Sequence, residues 1–207
     1  MTDLTSPLIE QLSSPQSAKR RTAARKLRRL GAPEAGPALL AALEREVLDT
    51  RTWETQYQMV MAVGECGYRE ALPFLEVLAK RSIEATMVYM ALGDAMVRLS
   101  RSGPADASPV LKILRARQQP MLLDGAFRAM AMLRMVPDPR EVAEIVAYAA
   151  SLPPNDGHRF WVAAAAPGWK GPEVVTFLKA CVESGRPDLQ EAASLAEEGK
   201  YKTWRPL

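Results

Sequence analysis

Apolar residues recur along this chain at spacings of three and four rather than two. Ala23, Ala24, Leu27 and Leu30 form one such stripe, and Met59, Val60, Val63 and Cys66 form another. That is the period of an α-helix with one face buried. Leu39, Leu40 and Leu43, and later Leu72, Leu75 and Leu78, mark second helices that follow the first. Between the paired stripes stand Gly31 and Gly67. Glycine takes the left-handed conformation favoured just past a helix end. Pro37 and Pro73 then open the next helix, where a missing N–H costs little. Read this way, the pattern predicts helices over residues 4–12, 15–30, 34–48, 51–66, 69–80, 84–101, 105–117, 121–134, 138–151, 156–166, 171–184 and 187–198.

The hairpins repeat. Gly31 matches Gly67, Glu34 matches Glu70, Ala35 matches Ala71 and Pro37 matches Pro73, all at an offset of 36. The same offset links Gly67 to Gly103 and Pro73 to Pro109. One hairpin of this kind cannot bury its stripes alone, whereas stacked hairpins bury them all. The expected fold class is therefore all-α: a right-handed α-solenoid of about five helical hairpins plus end helices. No Gly/Ser-rich stretch divides the chain, so residues 1–198 read as one domain and 199–207 as a C-terminal tail. The later copies, RAMAMLRMVPDPREVAEIVAYA and WVAAAAPGWKGPEVVTFLKACV, are shorter; they lack the basic helix start and often the glycine.

The pattern Arg20-x-x-Ala23-x-x-x-Leu27-x-x-Leu30-Gly31, followed by Pro-Glu-Ala-x-Pro-x-Leu-Leu, resembles the HEAT repeat of the bacterial, phycobilisome-lyase-like type. The second copy keeps its shape through Gln56, Met59, Val63, Gly64, Cys66, Gly67, Glu70, Ala71 and Pro73. The resemblance is good over residues 15–80 and extends more weakly to about residue 183. It implies a HEAT-like, helical-repeat fold. Families with that fold serve as adaptors, scaffolds, chaperone-like chromophore lyases and, in some cases, DNA glycosylases, so the resemblance does not choose an activity.

Charge and composition narrow the field. The 27 basic and 24 acidic residues leave a net charge of +3, which neither demands nor excludes nucleic acid. There is no secretory pattern at the start and no run of about 18 uncharged apolar residues, so a soluble, cytoplasmic protein is expected. Cys66 and Cys181 lie in apolar helical surroundings, which suits buried thiols in a reducing compartment. His158 is the one histidine, in PPNDGHRF, and is expected to be exposed in a loop or at a helix start. With only Asp156 beside it, it offers too few ligands for a metal site, and any Ser-His or Cys-His arrangement would need this same residue. Gly168-Trp-Lys-Gly171 has the wrong spacing for a phosphate loop. A glycosylase would want a carboxylate flanked by aromatics, but Asp124 has no Trp or Tyr nearby. No catalytic residue, metal or cofactor is assigned, and the chain is expected not to be an enzyme.

What remains is binding. Lys19, Arg20, Arg21, Arg25, Lys26, Arg28 and Arg29 put seven bases in eleven residues with no acid among them. Two readings compete: a patch for phosphate or an acidic partner, and the solvated end that a solenoid needs. Arg20 weighs less because the repeat itself favours a base there. Trp53 and Tyr57 lie on a helix expected to line the concave face, where aromatic residues anchor partners; packing across neighbouring hairpins is the alternative. The candidate contacts are thus Arg20, Arg21, Arg25, Arg28, Trp53 and Tyr57. Trp161 and the methionines 87, 90, 96, 121, 130, 132 and 135 read as core. Tyr201 and Trp204 of the tail either cap the last hairpin or form a linear motif. The expectation is a monomeric adaptor that binds another protein along the concave face. The alternatives are a nucleic-acid binder using residues 19–29 and a chromophore-lyase-like chaperone subunit.

Overall fold

A computed structural model describes residues 4–117 and 119–203. Among them are twelve α-helices and no strand. They are α1 (Thr5–Gln11), α2 (Ser17–Leu30), α3 (Gly36–Glu46), α4 (Trp53–Glu65), α5 (Leu72–Leu78), α6 (Met87–Ser100), α7 (Ser108–Ala116), α8 (Pro120–Met132), α9 (Pro139–Ala150), α10 (Gly157–Ala165), α11 (Pro172–Val182) and α12 (Pro187–Glu197). Each expected helix is present. Several begin late because their first turn is a separate, tighter 3₁₀ turn: Pro33–Ala35 before α3, Thr50–Thr52 before α4 and Arg69–Ala71 before α5. No helix among the described residues is long and apolar enough to cross a membrane.

The chain gathers into two compact units, Met1–Ser100 with Gln118–Gly125, and Arg101–Arg117 with Ala126–Leu207. In the first, α4 packs between α2 and α6, with α1 on α2, α3 on α4 and α5 on α6. Its central position explains why α4 buries every residue from Met59 to Gly64 rather than a single stripe. Gly64 lets α4 approach α6 closely: a Cβ there would lie 2.8 Å from the Ala95 Cα. In the second unit α9 packs on α10 and α11, and α12 packs on both α10 and α11. Ala163, Ala164, Ala165 and Ala166 are buried at its centre.

The sequence repeat is a repeat of turn geometry. Gly31 and Gly67 both adopt the left-handed conformation, with φ of 57° and 71°. Each is followed by a 3₁₀ turn that buries Ala35 or Ala71 completely. The third copy departs from this. Gly103 is not left-handed, and the Asp106 carboxylate organises the loop instead, accepting from the backbone N–H groups of Ser102 (2.7 Å) and Ser108 (3.0 Å). After α8 the left-handed position is filled by a non-glycine residue, Arg134, at φ 52°.

A second regularity concerns helix ends, whose last carbonyls lack intrahelical partners. Near the start of α2, α4, α6, α10 and α12 one polar side chain reaches back to the carbonyls at or just beyond the end of the preceding helix. Arg20 reaches Ser14 and Pro15, and Gln56 reaches Glu46 and Asp49. Tyr89 reaches Arg81, Arg159 reaches Ala149, Ala150 and Leu152, and Gln190 reaches Val182. The basic helix start expected to be missing from the late copies is therefore present in α10 as Arg159.

Some core expectations change. Met130 and Met135 are buried as expected, but Met87 is exposed and Met90, Met96, Met121 and Met132 are half-buried. The inward positions of α6 go to Val88, Ala91, Leu92, Ala95, Val97 and Leu99. Trp161 is half-buried, edge-on to Phe160. Trp169 is the buried tryptophan, and its Nε1 donates to the Met135 carbonyl at 2.8 Å.

Candidate functional site

The basic helix α2 divides its charges in three directions. Arg20 points inward. Its Nε and Nη2 hold the two Glu46 oxygens at 2.5 and 2.8 Å, while Nη1 donates to the Ser14 and Pro15 carbonyls. Glu46 also accepts from the Ser17 hydroxyl at 3.2 Å and is only 4% exposed. Burial alone would push the Glu46 carboxyl up, but hydrogen bonds from Arg20, Thr52 and Ser17 outweigh it and hold the group below its usual value. Arg20 is thus a correction to the expected contact set. It joins α2 to the ends of α1 and α3 because a buried Glu46 needs a cation.

Arg21 points sideways to α4, where it pairs with Glu54. That contact sets α2 beside the exposed Trp53 and, one turn on, the half-buried Tyr57. Arg25 and Arg28 complete the expected set; Arg25 is exposed and Arg28 half-buried. With Lys19 and Lys26 they make no ion pair among the described residues. The structure therefore places Arg21, Arg25, Arg28, Trp53 and Tyr57 on adjoining helices and withdraws Arg20 from them.

A charged cluster that the sequence reading missed lies between α4 and α6. Arg98 holds the fully buried Asp94 at 2.6 Å and Glu65 at 3.1 Å. The i, i+4 spacing of Asp94 and Arg98 was the available signal.

The remaining candidate chemistry is structural in arrangement. His158 is at the start of α10, as one expectation had it, but is buried rather than exposed. Asp156 caps its N–H at 2.8 Å, and its Nδ1 lies 3.0 Å from the Tyr148 hydroxyl. The cause is a ring cluster in which Phe127 stands edge-on to the imidazole. Both cysteines are free and buried, and burial pushes the Cys66 thiol up to about 11. No group of three or more His, Cys, Asp and Glu among the described residues is placed to hold a metal ion. In the tail, Tyr201 donates to the Pro167 carbonyl at 2.8 Å, Arg134 stacks over its ring, and Lys202 pairs with Glu191. Residues 200–203 thus fold back as a cap, while Trp204 lies outside the described residues.

Among curated proteins none matches the chain. One solved structure, described as an engineered protein, is 16% identical over 96% of this chain and 98% of its own, with a TM-score of 0.49. The sequence model of the PBS lyase HEAT-like repeat matches residues 19–45, which are α2, its glycine turn and α3. The chain therefore carries a HEAT-like repeat of this type, in an all-α helical-repeat fold.

Proposed function

We propose that this helical-repeat scaffold is a non-enzymatic adaptor that holds another protein against α2 and the start of α4. The observation that carries the reading is the set Lys19, Arg25, Lys26 and Arg28, left without acids once Glu46 and Glu54 have taken Arg20 and Arg21. Beside them stands Trp53, a large side chain 38% exposed. Unpaired bases steer and orient an acidic partner, and an exposed Trp supplies the apolar anchor that interface energies rest on. Repeat folds of this kind present extended surfaces for such contacts.

Affinity purification of the tagged protein tests this. The expected result is a stoichiometric protein partner that is lost from Arg25→Glu/Arg28→Glu and from Trp53→Ala, and kept by Lys179→Glu on α11. Recovery of nucleic acid alone, with a gel shift strong at low salt and fading as salt is added, overturns the reading in favour of phosphate binding by α2.

A further inference from the structure

Three neighbouring helices of the first unit share one open face. The Ser17 and Thr55 hydroxyls meet at 2.8 Å at the starts of α2 and α4, and the Cys66 thiol meets the Leu27 carbonyl near their ends, so the two run side by side in one direction. On the other side of α4, Gly64 lies against Ala95 of α6. The ends of α4 and α6 meet there, so Trp53 and Met87, which open them, lie at the same end. Arg21 reaches from α2 to Glu54, and Arg98 reaches from α6 to Glu65. Glu54 and Glu65 fall within about 20° of each other around α4, so the two pairs mark the open side of all three helices.

The face is basic at one edge and apolar at the opposite corner. On α2, Arg25 and Arg28 lie within about 40° of Arg21, and neither has an acid partner among the described residues. Lys19 and Lys26 lie roughly 140–160° from Arg21, on the far flank. On α4, Trp53 and Tyr57 each fall within about 20° of Gly64, so both lean towards α6. On α6, Met87 falls within about 20° of Arg98 and is 39% exposed. Trp53, Tyr57 and Met87 are thus the apolar corner. The acids between the two ends, Glu54 and Glu65, are already met by Arg21 and Arg98, so they offer no open like charge to an acidic ligand.

With Thr55 level with Ser17, Arg25 and Arg28 stand about 12–17 Å further along the helices. Adding the 8–10 Å between helix axes puts the basic edge on the order of 20 Å from the apolar corner. An extended chain covers that distance in about six residues. A helix would need about thirteen, a length at which a free helix is marginal in water. We propose that the partner of the adaptor reading, on which this inference rests, docks through an extended segment carrying a large apolar residue and, about six positions away, a pair of acids. The apolar residue seats against Trp53, Tyr57 and Met87, and the carboxylates meet the guanidinium groups of Arg25 and Arg28. Lys19 and Lys26 steer the segment without touching it.

The probe is the end-blocked peptide Leu-Phe-Ser-Thr-Ser-Ser-Ser-Glu-Glu, with its reverse-order counterpart, titrated into the full chain and followed by backbone amide chemical shifts. The expected result is saturable binding of one of the two, with shifts around Arg25, Arg28, Trp53 and Met87. The version with Gln in place of both Glu should bind at least about fivefold more weakly. Arg25→Gln/Arg28→Gln removes that preference, and Met87→Ser weakens binding of the peptide. Lys19→Gln/Lys26→Gln, the same change of charge on the far flank, costs less than about twofold. Equal affinity for the Glu and Gln versions, an equal loss in the two double variants, or undiminished binding by Met87→Ser each overturns the proposal. So does a single-stranded DNA oligonucleotide that binds these residues more tightly than either peptide. If the peptides fail while affinity purification still recovers a protein, this proposal falls and the adaptor reading stands.

Discussion

The hairpin α2–α3 and the hairpin α10–α11 share one device and complete it differently. In each, an arginine near the start of the first helix reaches back to backbone carbonyls at or just beyond the end of the helix before. In α2–α3 the guanidinium of Arg20 is closed off by Glu46, so that one charge is met inside the hairpin. In α10–α11 a thiol stands in that place and the charge is left open. Gln56 and Gln190 perform the same reach with no charge at all. The lesson is that the repeat supplies a donor to carbonyls at or just past each of these helix ends, and the counter-ion is an addition made hairpin by hairpin.

Removing each arginine separates those two roles. Arg20→Met strands a buried Glu46, and breaking a largely buried pair in this way costs about 2–4 kcal/mol. Arg159→Met loses three long carbonyl bonds but also relieves an uncompensated charge, so it costs less, about 1 kcal/mol. The double variant Arg20→Met/Glu46→Met recovers much of the single variant's loss, because it leaves no orphan acid. Urea unfolding of the four proteins checks the ranking. An Arg159→Met loss as large as that of Arg20→Met breaks the comparison.

Acid gives the same contrast a second axis. The folded-state pKa of Glu46 lies below its unfolded value, which is about 4.3 for a model glutamate. A depressed carboxyl contributes stability that is fully present above the unfolded pKa and is lost as pH falls through the folded one. Native stability should therefore fall below about pH 4 through Glu46. Without Arg20, burial is the first influence left on Glu46 and favours its protonated form, opposed by the Thr52 and Ser17 hydrogen bonds, so the folded-state pKa rises. The gap between the native chain and Arg20→Met should narrow steadily from neutral pH to acid. Asp49, held at about 2 chiefly by Arg51 with Arg20 as the smallest influence, titrates in both proteins and largely cancels in the difference. A gap that stays constant with pH places the stabilisation in packing rather than in the ion pair.

These outcomes bear on what the chain reveals before it is folded. All twelve helices were legible, because 3.6-residue stripes and glycine stops are local signals. Arg25 reads as surface for the same reason, whereas Trp53 reads either as an exposed anchor or as packing across hairpins. Arg20 was misjudged because its partner, Glu46, lies 26 residues away on another helix, and nothing local announces that an acid will be buried there. His158 was misjudged because Phe127 and Tyr148 close over it from α8 and α9. Arg159 was passed over because its motif is incomplete, and an unfilled edge of a guanidinium has no sequence signature. Local periodicity writes the fold, whereas long-range pairing writes the site.

The left-handed turns give the smallest effect and the finest test of the contrast. Gly67 and Arg134 occupy equivalent positions past α4 and α8, at φ 71° and 52°. Nothing lies within 4 Å of a Cβ placed at Gly67, so Gly67→Arg meets no clash and isolates the conformational cost, about 1 kcal/mol. The reverse change, Arg134→Gly, relieves a similar strain. It also removes the guanidinium stacked 5.0 Å from the Tyr201 ring, a contact worth about 0.5–1 kcal/mol at a partly exposed site. The two terms nearly cancel, so Arg134→Gly should change stability by less than about 0.5 kcal/mol. Thermal unfolding of Arg134→Gly beside Arg134→Gly/Tyr201→Ala separates them. In the Tyr201→Ala background the stack is already gone, and the glycine should then stabilise. If it does not, Arg134 is held at φ 52° without strain, and the late copy keeps the turn without needing the glycine of the early ones.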